Sequence, residues 1–202
     1  MKEYKLKEKE RRKNRVYKVA TKTLYQKGYD KTTIRDIAKA TDMTTAGLYY
    51  YFKSKEELLF QILNGHMDDM IAGIEKIPVA DASSLDLIKA YIQYQVNTYC
   101  TDKYRTKLIL SDDDCLTGDW YHLIKDKQRQ YLGYWRNALD RYFSDQGLDN
   151  RDIAIDAHCL VGMIAWIYRW YDPKGEVDPK RLAAKIFQTF IFGISNKDQS
   201  PG

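Results

Sequence analysis

Apolar residues recur every three to four positions along almost the whole of this chain, the spacing that places them on one face of an α-helix. No stretch of useful length alternates apolar and polar residues as a half-buried strand would. Prolines are few and stand at positions 78, 173, 179 and 201. The pattern therefore predicts an all-α fold.

The breaks between the predicted helices are rich in turn-forming residues. They fall at Gly28, at the loop 77–84, at the acidic run 112–114 and at the turn 172–175. The helices expected after residue 53 begin at Ser54 and then cover about 85–99, 103–111, 119–145, 151–171 and 179–195.

Residues 32–57 encode two short helices joined by a tight turn. Ile34, Ile37 and Ala38 share one face of the first of these helices. The turn that follows is rich in side chains that bond their own backbone, and Thr44 can cap the second helix. This arrangement is typical of a helix-turn-helix.

The second short helix presents small and hydrogen-bonding side chains outward. Steps of 100° direct Leu48 and Phe52 toward the core. Ser54, with Glu57 three residues on, is a capping box that opens the next helix. A short helix of this kind suits the major groove of DNA, so the sequence predicts DNA binding. The outward side chains are those of Thr45, Ala46, Tyr49 and Tyr50.

The charge of the chain is unevenly distributed. Residues 1–60 hold 16 Lys or Arg and 8 Asp or Glu, a net of +8, whereas the other 142 residues hold 17 and 20, a net of −3. Basic charge therefore accompanies the helix-turn-helix pattern, where it would attract phosphates. A Lys-rich terminus that is merely solvated is the alternative, and the adjoining motif favours DNA.

Patterns typical of enzymes or metal sites are missing from the sequence. His66, His122 and His158 are isolated, with neither a Gly-rich phosphate loop nor a nucleophile elbow nearby. The three cysteines are widely spaced and predict ordinary reduced thiols. The run 112–114 is interpreted as a solvated or helix-boundary cluster rather than a cation site. We expect no catalytic residues, no metal and no cofactor.

The sequence predicts a cytoplasmic protein that does not enter the membrane. The first fifteen residues lack the apolar core of a signal peptide. No stretch approaches the roughly 18 consecutive apolar residues of a membrane span.

Residues 12–63 resemble TetR-family transcriptional regulators. The resemblance is carried by TI at 33–34, IA at 37–38, GLYYYF at 47–52 and KSKEEL at 53–58. It implies a three-helix helix-turn-helix head at residues 1–53. It also implies a helical-bundle domain for ligand binding and dimerisation at residues 54–202, connected to the head by the helix that begins at Ser54.

The resemblance assigns DNA contacts to individual side chains. Tyr49 matches a position that usually bonds a phosphate, and Tyr50 one that faces base edges. Many members have a small residue followed by Thr in this helix, where the present chain has Ala46-Gly47, so the hydroxyl expected to contact a phosphate or base is missing. Thr33 and Lys55 stand at helix starts, which suit phosphates. The expected DNA-binding residues are Thr33, Thr44, Thr45, Gly47, Tyr49, Tyr50 and Lys55.

A helix-turn-helix reads two half-sites as a symmetric dimer, so a palindromic operator and a homodimer are expected. The last two predicted helices carry apolar and small residues on several faces, including Val161, Gly162 and Phe190. In TetR-like proteins the equivalent pair forms a four-helix dimer bundle. We therefore expect dimerisation through these two helices.

Aromatic residues are dense, with 17 Tyr and 4 Trp. An aromatic stripe at helical spacing is typical of a core and also compatible with a ligand cage. Arg169 is either an ion-pair partner of Asp172 or an anion clamp. The expected ligand-binding residues are Trp120, Tyr131, Trp135, Trp166, Arg169 and Trp170.

The segment 166–175, with Trp120, the pair 128–129 and Trp135, is similar to TetR-type regulators of fatty-acid, sterol and acyl-CoA degradation. In that group an apolar tunnel takes the acyl chain, and basic groups near its opening meet the CoA phosphates. The resemblance implies a repressor that an acyl-CoA or similar apolar amphipathic effector releases from its operator. The alternatives are an efflux or stress regulator with another hydrophobic ligand, and a DNA-binding protein without an effector.

Overall fold

A computed structural model describes residues 2–80, 82–149 and 152–195. The predicted all-α fold is confirmed. A 3-10 turn at Asp113–Cys115 lies between the sixth and seventh helices. The helices are α1 (Lys2–Lys27), α2 (Ile34–Thr41), α3 (Thr45–Leu48), α4 (Lys55–Glu75), α5 (Ser84–Thr101), α6 (Lys103–Ser111), α7 (Gly118–Asp145), α8 (Ile153–Ala165), α9 (Ile167–Trp170) and α10 (Pro179–Ser195).

The described residues form two compact units. Unit 1 contains residues up to 67 and residues 104–125, and unit 2 contains residues 68–103 and those from 126 onward. Helices α4 and α7 therefore each have residues in both units. The functional boundary expected between residues 53 and 54 stays a prediction.

The core of unit 1 joins α1 to the two short helices. Ile37 of α2, Leu48 of α3 and Leu24 of α1 have no solvent exposure. Phe52, which follows α3, is also buried and packs edge-on against Tyr17 with ring centroids 6.4 Å apart. The predicted inward positions Leu48 and Phe52 are confirmed, and burial of their apolar surface holds α3 in place.

The second segment of unit 1, residues 104–125, packs on α1 and the start of α4. Trp120 stacks on Phe60 at 5.3 Å between ring centroids. The Thr117 hydroxyl and backbone N–H both donate to one carboxylate oxygen of Glu56 at 2.8 Å. Polar bonds and aromatic contacts together hold this segment to the first 67 residues.

The acidic run at the start of the 3-10 turn is ion-paired. Asp112 accepts from Lys107 at 3.0 Å, and Asp113 accepts from Lys125 at 2.8 Å. Both carboxylates are buried, so these pairs compensate the loss of their hydration. The interpretation as a helix-boundary cluster agrees with this geometry, but Asp112 and Asp113 are not solvated.

Unit 2 is built around α5. Ile88, Ile92 and Val96 of this helix have no exposed surface. Trp135 of α7 is equally buried and meets Tyr91 edge-on, with ring centroids 5.6 Å apart. Helices α8 and α10 also pack against α5. Leu85, at the start of α5, is by contrast exposed at the surface.

The predicted helix 151–171 is interrupted. Helix α8 ends at Ala165, and α9 begins at Ile167 after a break at Trp166. The Trp166 N–H still bonds the Gly162 carbonyl at 3.3 Å, and its φ of −65° and ψ of −16° stay in the right-handed helical region. Neither Pro nor Gly stands at the break, and periodicity therefore did not reveal it.

Gly73 in α4 allows a close approach to Tyr94 of α5. A Cβ at residue 73 would overlap the Tyr94 hydroxyl and lie 2.6 Å from its Cε2. The hydroxyl donates to the Asp69 carbonyl at 3.0 Å and to the Met70 carbonyl at 3.2 Å. Tyr94 therefore occupies the space that a side chain at residue 73 would need.

We expect Gly73→Ala to lower the free energy of unfolding by about 1–3 kcal/mol, because Tyr94 must move and lose these bonds. Gly65→Ala is the matched control in the same helix, since a Cβ there meets nothing within 4 Å. Because Ala is the better helix former, the control is expected to gain up to about 1 kcal/mol. Urea unfolding of both variants measures the difference, and equal stabilisation would contradict the role of Gly73.

Candidate nucleic-acid interface

The entry to α2 is fixed by a capping box. The Thr33 hydroxyl accepts from the Asp36 N–H at 3.2 Å, and the Asp36 carboxylate accepts from the Thr33 N–H at 2.9 Å. Lys27 donates to the same carboxylate at 2.6 Å. These bonds, first that of Lys27 and then those of Thr33, lower the pKa of Asp36 well below its usual range. The cap is therefore complete at neutral pH and weakens as acid protonates Asp36.

The turn between α2 and α3 reverses the chain within a few residues. Asp42 adopts the left-handed conformation with φ of 56°. Its N–H bonds the Lys39 carbonyl at 3.4 Å, and the Met43 N–H bonds the Ala38 carbonyl at 3.0 Å. This closes the last turn of α2 and directs the chain into α3.

Helix α3 is a single turn with Thr44 as its N-cap. The Thr44 hydroxyl accepts from the Gly47 N–H at 3.1 Å. A Cβ at residue 47 would lie 3.3 Å from both the Thr44 hydroxyl and Met43 Cε. Gly47 thus leaves room for the cap, which explains why the small residue suits this turn.

The predicted DNA-contact residues of α3 and the turn after it lie at the surface. Tyr49 is 52% exposed and Tyr50 is 66% exposed. Thr44 and Thr45 are exposed as well. Two large, exposed aromatic side chains beside small polar ones form a surface that can enter a groove.

Tyr17 of α1 connects the chain after α3 to α4 through its hydroxyl, a contact named here the Tyr17 clamp. Its hydroxyl donates to Gln61 of α4 at 2.5 Å and lies 3.2 Å from the Tyr51 carbonyl. Burial raises the pKa of Tyr17 to about 12, so the hydroxyl remains a donor at physiological pH. The clamp fixes the chain directly after Tyr50. It was not identified from the sequence, because its partners are distant along the chain.

Lys55 and Thr33 are engaged within the protein. The Lys55 ammonium donates to the Tyr29 carbonyl at 2.8 Å and lies 4.1 Å from the centroid of that ring. Thr33 serves the capping box. Both stand at helix starts as expected, and phosphate contacts there remain predictions.

The residues predicted to bind a ligand do not form one cluster. Trp120 belongs to unit 1, where it stacks on Phe60. Tyr131 and Trp135 are buried in unit 2. In α9 and its entry, Trp166 and Trp170 are 60% and 48% exposed. Thus only Tyr131 and Trp135 share a buried environment.

Arg169 lies over neighbouring aromatic rings. Its guanidinium carbon is 5.5 Å from the centroid of Trp166 and 5.9 Å from that of Tyr168. Asp172, the expected ion-pair partner, accepts instead from the backbone N–H of Lys174 at 3.0 Å. The structure therefore shows cation–π packing for Arg169.

A polar group lies in the core of unit 2. Gln95 of α5 is fully buried, and its side-chain carbonyl accepts from the Tyr131 hydroxyl at 3.3 Å. By strict hydrogen-bond geometry the Gln95 amide nitrogen and the Trp135 indole nitrogen have no acceptor among the described residues, although Gln95 interacts with the Tyr99 hydroxyl and Trp135 with the Tyr131 hydroxyl. A buried polar group left unsatisfied costs about 1–3 kcal/mol, so these two donors depend on the neighbouring tyrosine hydroxyls or on a further acceptor.

Other chemistry is not evident in the part of the chain that the structure describes. No three His, Cys, Asp or Glu side chains there are grouped so as to hold a metal ion. No described helix has both the length and the apolar character needed to cross a membrane. Burial raises the pKa of Cys100 to about 11, so this thiol is not activated.

The capped turn and the exposed face of α3 define a helix-turn-helix, the class of protein that reads DNA with its second helix. Residues 16–62 match the family described as bacterial regulatory proteins, tetR family. Residues 81–194 match the tetracyclin repressor-like C-terminal domain. The chain belongs to the TetR family. The predicted membership is confirmed, and it makes the chain a DNA-binding transcriptional regulator rather than an enzyme.

Similar proteins match almost the full length of the chain. A TetR-family regulator from Bordetella parapertussis 12822 is 30% identical with a TM-score of 0.84, over 91% of this chain and 96% of that one. AibR, solved with isovaleryl coenzyme A and operator DNA, is 26% identical with a TM-score of 0.77, over 88% and 97%. The transcriptional repressor KstR2 of Mycobacterium tuberculosis is 21% identical over 92% of this chain and 94% of its own.

Proposed function

We propose that this chain is a dimeric repressor that binds a palindromic operator and is released by an acyl-CoA or a similar amphipathic effector. The observation that carries DNA binding is the exposed face of α3, held by the Thr44 cap and the Tyr17 clamp. In this proposal Tyr50 and Thr45 face base edges, and Tyr49 bonds a phosphate. Because the proposed operator is DNA within the cell, we propose that the protein acts in the cytoplasm.

Exposed apolar side chains on α8 and α10 support the homodimer. Ile155 of α8 is 60% exposed and Phe192 of α10 is 69% exposed. Met163 and Trp166, at the end of α8, are exposed apolar side chains as well. Large apolar side chains in this number on adjoining helices indicate an interface, and a second copy supplies the same surface in a two-fold arrangement.

The Gln95 and Trp135 donors, which meet only tyrosine hydroxyls outside ideal hydrogen-bond geometry, support an effector that carries hydrogen-bond acceptors. A thioester or amide carbonyl would satisfy them, and the apolar side chains of α5 and α7 around them would contact an acyl chain. AibR, which is 26% identical, was solved with isovaleryl coenzyme A. Both observations favour an acyl-CoA as the effector.

Regulation follows from linkage between the two binding events. We propose that the effector and the operator bind different arrangements of the dimer. The effector can then weaken DNA binding by at most the ratio of its affinities for the two arrangements. Helices α4 and α7 have residues in both units and connect them covalently. They are the elements through which we propose that the effector acts.

The test is a titration of the purified protein against DNA from the region upstream of its own gene, followed by fluorescence anisotropy. Acyl-CoAs of short, medium and long chain are added, with free coenzyme A and the matching fatty acids as controls. We expect one length class to weaken DNA binding by about 5- to 150-fold. Specific binding that no acyl-CoA changes would keep the regulator and exclude this effector.

Gln95→Met is the variant matched to this proposal. It keeps the length of the side chain and removes the buried amide, so the fold is expected to survive. We expect unchanged DNA binding without effector and loss of the response to acyl-CoA. A normal response would show that Gln95 does not contact the effector.

A further inference from the structure

The first fourteen residues of α1 lie outside the part of the chain that matches the family. Helix α1 begins at Lys2, and the match begins at residue 16. Residues 2–15, named here the basic extension, hold eight Lys or Arg and three Asp or Glu. The whole chain holds 33 and 28, so the remainder holds 25 of each sign. The entire formal net charge of +5 therefore belongs to the basic extension.

The basic extension continues, as one helix, the part of α1 that is anchored in unit 1. Val16, Ala20 and Leu24 of the same helix are buried in the core of that unit. Fourteen helical residues extend about 21 Å at 1.5 Å per residue. The backbone of the basic extension is thus helical rather than irregular.

One face of the basic extension lies beside Tyr50 and Tyr51, which follow α3. The Lys9 ammonium lies 5.2 Å from the centroid of the Tyr50 ring. A shallow groove here is lined by Lys9, Arg12, Tyr50 and Tyr51, together with Glu8. A hydrogen bond with Tyr50 raises the pKa of Lys9, so the ammonium remains charged.

A second groove continues the first. It is lined by Arg12, Arg15 and Tyr51, and also by residues of the α2–α3 turn, Thr41, Asp42 and Met43. Because Arg12 and Tyr51 line both grooves, the two grooves together form one strip beside the helix-turn-helix. Basic side chains occupy one side of this strip and the proposed reading surface the other.

We propose that Lys9, Arg12 and Arg15 bind phosphates of the DNA backbone that borders the major groove entered by α3. This inference rests on the proposed DNA binding. It adds a second DNA-contact surface, formed by Lys9, Arg12 and Arg15, which precede the matched residues 16–62. Phosphate contacts of this kind fix the register of a protein on DNA and carry most of its salt dependence.

Besides Asp42 in the second groove, the strip holds an opposing charge in the first groove, Glu8. Its carboxylate lies 3.7 Å from the Arg12 guanidinium, in a pair whose side chains are 50% and 73% exposed. An exposed pair of this kind is weak, so a phosphate can replace the carboxylate at little cost. Glu8 nevertheless repels the DNA backbone, and its removal should therefore strengthen binding.

The test compares Arg12→Gln with Arg11→Gln in the full-length chain. Arg11 is exposed and lies 100° around the helix from Arg12, so both variants remove one charge from neighbouring positions. Operator affinity is measured by fluorescence anisotropy from about 50 to 300 mM salt. For Arg12→Gln we expect the slope of log affinity against log salt to fall by about 2 per dimer, one for each lost phosphate contact. The preference for operator over random DNA should stay constant, and Arg11→Gln should retain the wild-type slope.

Glu8→Gln tests the same face by removing a negative charge, so its effect on DNA affinity should be opposite to that of Arg12→Gln. We expect it to tighten operator binding several-fold at low salt, a gain that misfolding cannot produce. Equal slopes for Arg11→Gln and Arg12→Gln, or weaker binding by Glu8→Gln, would overturn the proposed face. Failure of the DNA-binding proposal is distinct, since the wild-type protein would then show no preference for its operator.

Discussion

Replacing Tyr50 with Ala is expected to lower the affinity of the dimer for its operator at least about 30-fold. Losing one base-edge contact costs about 1–3 kcal/mol, and a symmetric dimer loses it in both half-sites. The thermal midpoint should not fall substantially, because the Tyr50 side chain is 66% exposed. Anisotropy titrations against operator and random DNA, with a melting curve for each variant, measure both effects.

Tyr49→Ala is the informative comparison, since Tyr49 is proposed to bond a phosphate. Its loss should weaken binding to operator and random DNA by similar factors, whereas Tyr50→Ala should mainly reduce the preference for the operator. If both variants bound the operator as the wild type does, α3 would not be the reading element.

Phe192→Asp is expected to separate the dimer. Phe192 is 69% exposed, and covering it by a second copy would contribute about 1.5–3 kcal/mol for each of two equivalent side chains. The carboxylate would in addition have to be buried without a partner. The dimer dissociation constant should therefore rise by at least about 100-fold. Sedimentation analysis measures this change, and operator affinity should fall with it because a monomer reaches one half-site only.

Leu123→Asp is the control for a general effect of surface charge. Leu123 of α7 is 47% exposed and lies outside α8 and α10. This variant should remain a dimer at the wild-type concentration. A monomeric Leu123→Asp protein, or a dimeric Phe192→Asp protein, would place the interface on another surface.

The helix-turn-helix could be predicted because its determinants are local. The Thr44 cap and the Ser54–Glu57 pair act within three residues, and Leu48 and Phe52 follow helical steps. The Tyr17 clamp could not be predicted, since its partners are 34 and 44 residues away. Long-range hydrogen bonds of this kind leave no periodic signal in the sequence.

The residues predicted to bind a ligand show a second limit of prediction from helical periodicity. Spacing groups aromatic residues along a helix, but it does not distinguish an exposed face from a buried one when both are aromatic. Trp135 is buried and Trp166 is exposed, although the residue type is the same. Gln95 was overlooked because a single polar residue in an apolar stripe resembles a surface position until its burial is known.

The two compact units have a consequence for exchanging parts between related regulators. Unit 1 is assembled from residues up to 67 and residues 104–125, so no single cut in the chain separates it from unit 2. A chimera joined at residue 53 would take its DNA-reading turn from one parent, and Phe60, Glu56 and residues 104–125 from the other. Such a chimera keeps the Glu56–Thr117 bonds and the Phe60–Trp120 stack within one parent, but it divides the Tyr17–Gln61 bond and the Tyr25–Tyr104 ring contact between the two parents. A specificity transplant that preserves all of these contacts must exchange residues up to 67 and residues 104–125 together.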